Sequence, residues 1–421
     1  MKISNIKIGV IGLGYIGLPL CLVFSKKYSV VGYDHNKKRI KSLQNNIDTN
    51  KDLQNKNLVN SKINYTYDLK KLIDCNVFIV AVPTPIYKNK KPNLSYLRSA
   101  CLTLSKIVKK NSTIVFESTV YPGLTENFCI PLIEEKTKFY KNKDIFFGYS
   151  PERINPGDKK RTIENITKVV SGSDVKTGKF LNNLYKSVIK SGTYLAPTIK
   201  IAEAAKIIEN CQRDINIAFI NEIYLLFSKL DINPIEVLKA SKTKWNFLNF
   251  EPGLVGGHCI GVDPYYLTYL AKKKKIKTNL ILSGRSTNDD MAKKISKIFI
   301  SKFKKEFSIN KSSKILVMGF SFKQNCSDTR NTQTIKIYKH LKKYFLNVDV
   351  YDPLVNNIDV QNNFNIKLIE YPKYKKYNSI LILVGHDYFK KLGKNEISKF
   401  LTKKGFVFDL KNFLFNNNYN S

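Results

Sequence analysis

Short apolar runs alternate with helical stretches through roughly the first 200 residues. Residues 6–11 (Ile-Lys-Ile-Gly-Val-Ile) have the length and texture of a buried strand, a helical run follows to about Lys27, and residues 29–33 repeat the strand pattern. That is a βαβ unit. Further apolar runs at 77–82, 113–116 and 168–171 extend it into a parallel sheet. From Lys200 the period changes: residues 201–230 keep a helical pattern without Gly or Pro, and residues 234–241 add a helix that opens on Pro234. A Gly-rich segment, 252–264, interrupts before helices resume to about Phe307. Strand–helix alternation returns with strands at 315–318, 348–351, 380–384 and 406–410 and a helix from about Thr332. The expected fold is α/β, two doubly wound parallel-sheet domains joined by a helical middle. The expected division is 1–199, 200–307 and 308–421. No close sequence repeat is apparent.

Composition narrows the class. A chain of 421 residues, 43% hydrophobic and 25% charged, is neither disordered nor a small disulfide-stapled module. Its 71 basic and 33 acidic residues give a net charge of +38, which raises the question of nucleic acid. Only seven of the basic residues are arginine, the side chain that clamps phosphates and reads bases bidentately, and the lysines are scattered. The charge reads as a solvated surface, with neither nucleic acid nor membrane insertion expected. The seven cysteines contain no CxxC pair, which fits free thiols in a reducing compartment and no metal. The apolar stretch 8–24 is broken by Gly12, Gly14, Gly17 and Pro19 and is short for a membrane span, so a cytoplasmic protein is expected.

The candidate chemistry lies at the ends of these elements. Gly12-Leu-Gly14-Tyr15-Ile16-Gly17 follows a strand and opens a helix, and Asp34 stands twenty residues after Gly14 at the end of the next strand. This is a dinucleotide fingerprint: pyrophosphate at the helix N-terminus, ribose hydroxyls on the acid, NAD favoured over NADP. In Gly256-Gly257-His258-Cys259-Ile-Gly261-Val262-Asp263 a cysteine sits among glycines beside a histidine, placed like an exposed nucleophile. Lys206 and Asn210, four apart, share a helix face that could hold an oxyanion, while on this motif alone a solvated lysine is the simpler reading. The loops Glu117-Ser118-Thr119-Val-Tyr-Pro122-Gly123 and Ser150-Pro151-Glu152-Arg153-Ile-Asn155-Pro156-Gly157 offer an acid or base at strand ends.

Together these segments resemble the nucleotide-sugar 6-dehydrogenases. The likeness covers nearly the whole chain and includes Val82-Pro83-Thr84-Pro85, Gly284-Arg285-Ser-Thr-Asn288-Asp289, Gly319-Phe-Ser-Phe322-Lys323, Asp328-Thr-Arg330-Asn331 and Tyr351-Asp352-Pro353. The resemblance implies oxidation of C6 of a UDP-hexose to a carboxylate with two NAD⁺ per turnover. It makes Cys259 the nucleophile that captures the aldehyde, Lys206 and Asn210 the oxyanion-stabilising pair, Glu152 and Asp263 the acid–base and water-handling carboxylates, and Thr119 a water-positioning hydroxyl. Gly12, Gly14, Tyr15, Ile16, Gly17, Asp34, Arg39, Thr84, Glu117 and Thr119 fall where the family contacts NAD. Glu152, Arg153, Lys206, Asn210, Gly257, Arg285, Lys323 and Arg330 fall at the nucleotide sugar, with Arg285 like an arginine that reaches a neighbouring subunit's site.

The cysteine loop departs from the UDP-glucose branch, which reads Gly-Gly-Ser-Cys-Phe-Pro-Lys-Asp. Val262 replaces the lysine, and the His-Cys form followed by Asp263-Pro264-Tyr265-Tyr266 resembles the UDP-N-acetylhexosamine branch. The expected substrate is therefore UDP-GlcNAc or UDP-GalNAc, for a surface polysaccharide, with UDP-glucose as the alternative. The long helix, with Ile207, Ile208, Ile215, Phe219, Ile223 and Leu226 among its apolar residues, is expected to pack one face within the chain and another against the same helix of a second subunit in a homodimer.

Overall fold

The computed structural model describes residues 5–49, 58–59, 61–154, 161–411 and 413–414. Asn155, Pro156 and Gly157 of the second candidate loop lie outside the described residues. By internal contacts the chain forms two compact units, Met1–Glu209 with Tyr265–Lys277, and Asn210–Pro264 with Thr278–Ser421.

The first unit is a doubly wound sheet. Its elements are β1 (Lys7–Ile11), α1 (Gly17–Phe24), β2 (Ser29–Tyr33), α2 (Lys37–Gln44), β3 (Ile63–Thr66), β4 (Val77–Val80), α3 (Ser95–Leu104), β5 (Thr113–Phe116), α4 (Ile130–Thr137), β6 (Phe146–Tyr149), β7 (Lys168–Gly172), α5 (Val175–Lys186) and β8 (Thr193–Leu195). The strand order is β3-β2-β1-β4-β5-β6-β7-β8 among the described residues. The first six strands run parallel and β7 pairs antiparallel to β6. Reversal of order between β1 and β4 opens a crevice at the strand ends, where dinucleotides bind in such sheets. Both faces of the central strands are covered: Val77, Phe78, Ile79 and Val80 are all fully buried. That is why these strands read as continuous apolar runs.

The 31-residue helix α6 (Ile199–Lys229) begins in the first unit and ends in the second. In the second unit α7 (Pro234–Ser241), the start of α8 (Asp263–Lys273) and α9 (Asn279–Glu306) precede β9 (Lys314–Met318), α10 (Thr334–Leu341), β10 (Asn347–Tyr351), α11 (Asn357–Phe364), β11 (Tyr377–Ile382), α12 (Asp387–Lys399) and β12 (Leu401–Asp409). These four strands form a parallel sheet in the order β10-β9-β11-β12. No helix among the described residues is long and apolar enough to cross a membrane.

The pattern of apolar runs located most strands but missed β3, β6 and β8. β3 and β8 are sheet-edge strands with exposed positions, and β8 is three residues long, so neither has the buried run that marks a central strand; β6, an interior strand of four residues that includes Gly148, was anticipated only through the loop placed at its end. A repeat invisible in the sequence is present in the geometry. Gly12 N–H donates to Tyr33 O at 2.9 Å and Leu13 N–H to Asp34 Oδ2 at 2.9 Å. In the second unit Gly319 N–H donates to Tyr351 O at 2.9 Å and Phe320 N–H to Asp352 Oδ2 at 2.6 Å. The same strand–turn–strand–acid device thus occurs twice. In the second copy the acid is also taken up by Ser321 N–H and by His386 Nε2, at 3.0 and 3.1 Å.

Candidate active site

In the first unit the fingerprint turn packs helix against strand without intervening side chains. A Cβ on Gly17 would lie 1.8 Å from Gly12 O, which only glycine avoids, whereas a Cβ on Gly14 would meet nothing within 4 Å. The backbone at Gly14 therefore faces open space, as the approach of a pyrophosphate requires. Beside it is a cleft of about 320 Å³, lined by Gly14, Asp34, His35, Asn36, Arg39 and Thr49 among others. Asp34 accepts from Leu13 N–H and Asn36 N–H, both at 2.9 Å, which fixes its carboxylate at the cleft wall. Asn36 caps α2 and so places Arg39 one turn in. The guanidinium donates to Leu13 O at 3.0 Å and pairs with Asp48 at 2.7 Å, while its Nη2 is buried without a partner. An open backbone turn, a fixed carboxylate and an unmatched buried donor fit an adenosine dinucleotide, with Asp34 and Arg39 at its ribose end.

The start of α6 is the plank on which the neighbouring loops rest. Glu203, fully buried, accepts from Gly123 N–H at 2.5 Å and Thr125 N–H at 2.9 Å, tying down the loop that follows β5 and carries Thr119. Two turns along, Glu209 pairs with Arg153 at 2.8 Å, and Arg153 also donates to Thr167 O, which anchors the loop that follows β6 and carries Glu152. Lys206 lies on α6 between these two anchors in sequence and is 7% exposed. Ser118 Oγ donates to Val82 O at 2.7 Å and holds the segment of Thr84 beside that of Thr119.

Glu117, grouped with the cofactor contacts on sequence grounds, turns its carboxylate inward. Lys168 Nζ lies 2.5 Å from one of its oxygens and Tyr185 O–H donates to the other at 2.6 Å. Burial pushes the Glu117 carboxyl up to about 7 against the attraction of Lys168. Lys168 also reaches Glu152 at 3.2 Å.

In the second unit Cys259 alone of the seven cysteines is exposed; the other six are buried, as structural thiols are. Burial pushes the Cys75 thiol up to about 11 and Cys211 up to about 12, so both stay protonated and inert. Gly257 takes φ +80° and a Cβ there would come within 2.6 Å of Phe322, so the turn beside the thiol closes only with glycine. Asn331 Nδ2 donates to Gly257 O at 3.1 Å. Asp263 N–H donates to Cys259 O at 2.8 Å, and Asn210 Nδ2 donates to Asp263 Oδ2 at 2.6 Å, so these three expected residues are brought together. His258 is pushed down to about 4, first by burial and then by Arg330, and its Nε2 is buried without a partner. Arg330 forks onto Asp328 at 2.7–3.0 Å, and Lys323 Nζ sits 5.5 Å from the Phe322 ring centroid. Arg285 is 2% exposed and bridges Asp214 and Asp289 of its own chain, each at 2.5 Å.

Glu203 and Lys168 were not singled out by the residue patterns. Lys168 had a signal: a lysine inside an apolar strand must find an anion. Glu203 had none, since a glutamate on a helix usually faces water.

A doubly wound sheet with this turn, acid and cleft defines an NAD-dependent dehydrogenase. Comparison with known proteins specifies it further. The NAD binding domain of the UDP-glucose/GDP-mannose dehydrogenase family matches residues 6–189, its central domain residues 200–290 and its UDP binding domain residues 316–416. The chain is 44% identical over 410 residues to a UDP-N-acetyl-D-glucosamine 6-dehydrogenase of Salmonella typhi, covering 97% of this chain and 96% of that one. It is 46% identical over 411 residues to Protein CapL of Staphylococcus aureus, covering 97% and 96%. The fold superposes on a UDP-D-ManNAc dehydrogenase from Pyrococcus horikoshii with TM-score 0.88 at 28% identity, covering 99% and 97%. The chain belongs to the UDP-glucose/GDP-mannose dehydrogenase family. It is an α/β enzyme with NAD as cofactor and a UDP-sugar as substrate.

Proposed function

We propose that this enzyme oxidises C6 of UDP-N-acetylglucosamine, or of its galacto epimer, to the uronic acid, in the cytoplasm and for a surface polysaccharide. The sugar is argued from full-length identity of 44% to a UDP-N-acetyl-D-glucosamine 6-dehydrogenase and from the His258-Cys259 form of the nucleophile loop. The observation that carries the mechanism is the exposure of Cys259 in a glycine turn, where the Cys259 carbonyl accepts from Asp263 N–H and the Asp263 carboxylate is held in turn by Asn210. NAD⁺ supplies hydride acceptance at both oxidation steps.

The chain's own residues then divide the work. Glu152 takes the proton of the C6 hydroxyl, and Lys206 with Asn210 stabilises the resulting alkoxide. The Cys259 thiolate adds to the aldehyde carbon to give a thiohemiacetal, which retains an otherwise diffusible intermediate. The second oxidation leaves a thioester. Water cleaves it, with Asp263 as the water-handling carboxylate, releasing the carboxylate and the thiol. Lys323 and Arg330 grip the nucleotide. The working division is a cofactor domain over 1–199, a helical region over 200–307 and a nucleotide-sugar domain over 308–421.

The subunits form a homodimer through α6. Ile201, Ile208, Phe219 and Leu226 are 46–56% exposed, and at the helical repeat they fall within about 20° of one another. An apolar stripe of this length is costly in water. Light scattering showing a monomer at micromolar protein would refute the dimer. The substrate is tested by incubating the enzyme with NAD⁺ and UDP-GlcNAc, UDP-GalNAc, UDP-ManNAc or UDP-glucose and following NADH. Preferential turnover of UDP-glucose or UDP-ManNAc would overturn the assignment.

A further inference from the structure

Behind Glu152 lies a buried charge cluster whose lysine has no role in the mechanism above. Strand β7 carries Lys168, 2% exposed, with its ammonium 2.5 Å from Glu117 Oε2 and 3.2 Å from Glu152 Oε2. Glu152 Oε1 accepts from Arg153 N–H at 2.6 Å and Ile154 N–H at 2.7 Å. Each Glu152 oxygen therefore has a donor, and the carboxylate has one orientation. Tyr185 on α5 closes the far side by donating to Glu117 Oε1. The other charged neighbour, Arg153, is turned to Glu209.

The arithmetic of the cluster is two carboxylates on one ammonium. Burial raises the Glu117 carboxyl up to about 7, so toward acid pH its hold on the ammonium weakens and the share of Glu152 grows. Lys168 itself is raised: burial disfavours its charge, but Glu117 and Glu152 outweigh that. Apolar residues at positions 117, 152 and 168 would spare the chain the cost of burying three ionisable groups. Buried clusters of titratable groups are a feature of functional sites, although structural ion-pair networks form them too.

We propose that Lys168 is a positioning residue for the reaction: its ammonium, clamped between Glu117 and Glu152, fixes the orientation and the charge environment of the Glu152 carboxylate that accepts the proton. The inference rests on the reading of Glu152 as the proton-accepting carboxylate. Its test is the pH profile of kcat with NAD⁺ and UDP-N-acetylglucosamine for Lys168→Met, Lys168→Arg and the double variant Lys168→Met/Glu117→Gln. Loss of a cation this close moves the acid limb of kcat about one to three pH units higher, with KM for the sugar nucleotide changing less. Lys168→Arg restores the charge and returns the limb toward its original place. The double variant leaves one fewer bare acid in the interior, so it shows the same displacement should the single variant fail to fold. A folded Lys168→Met or double variant with an unmoved limb overturns the proposal, as does an arginine variant that recovers thermal stability without the limb. Glu152→Gln, measured alongside, separates the two readings. At full rate it removes the premise and the proposal together; a slow Glu152→Gln beside unshifted lysine variants overturns the proposal alone.

Discussion

Glu203→Ala is expected to loosen the loop that carries Thr119 and to slow the enzyme without touching any group assigned a chemical role. The native carboxylate takes two buried amides, Gly123 N–H at 2.5 Å and Thr125 N–H at 2.9 Å. Each amide left bare costs about 1–3 kcal/mol. The gain is offset by burial of the acid, which holds its carboxyl up to about 7. The net loss for alanine is therefore near the lower end, about 2–3 kcal/mol, and for Glu203→Gln, which keeps one acceptor, about half of that. The assay is urea unfolding by far-UV circular dichroism, together with hydrogen–deuterium exchange of the 119–125 segment. Tryptophan fluorescence is unsuitable, because the single tryptophan, Trp245, is 92% exposed and lies in the other unit. A displacement of the loop by about 1 Å would lower kcat by up to about a hundredfold. Unchanged exchange, unfolding midpoint and kcat in Glu203→Ala would refute the view that this helix residue holds the loop.

Asp34→Ala should narrow the preference for NAD⁺ over NADP⁺, because a carboxylate repels a 2′-phosphate while the unmatched Nη2 of Arg39 would accept one; equal kcat/KM for both cofactors in the native enzyme would sink this. Cys259→Ser should lose steady-state turnover by orders of magnitude and release about one NADH per sugar rather than two, whereas Cys101→Ser, at a buried site, should leave the two-to-one yield intact. Two NADH per sugar at native rate from Cys259→Ser would end the thioester mechanism. Glu117 and Glu203 are both raised by burial, so the folded state binds protons that the unfolded chain has released. Their contribution to stability is present below about pH 4.5 and is lost as pH rises to about 7, by up to about 3 kcal/mol each. Urea midpoints at pH 5 and pH 8 should therefore differ less in Glu117→Gln than in the native enzyme; an equal or steeper difference would contradict the buried-acid account.

The division between what the sequence determined and what the tertiary structure decided follows the range of the interactions involved. The glycine fingerprint, Asp34, the central strands and the 31-residue helix were legible because backbone turn geometry and hydrophobic period are local properties of consecutive residues. The cysteine loop was legible for the same reason, since its glycines and Cys259 lie within a few positions of one another. What Glu203 and Lys168 do was not, because their partners come from elsewhere in the chain. Glu203 meets Gly123 across 80 positions, and Lys168 meets Glu117 across 51. The order of strands in the sheet decides which loops lie side by side, and no local pattern encodes that order. The inward turn of Glu117 and the burial of Arg285 between Asp214 and Asp289 belong to the same class. So does the second strand–turn–acid device at Gly319 and Asp352, whose acid is closed by Ser321 and His386 where Asp34 faces an open cleft. A residue type announces its chemistry in the sequence; whether that chemistry faces a ligand or is spent on the fold depends on which neighbours the packed chain brings to it.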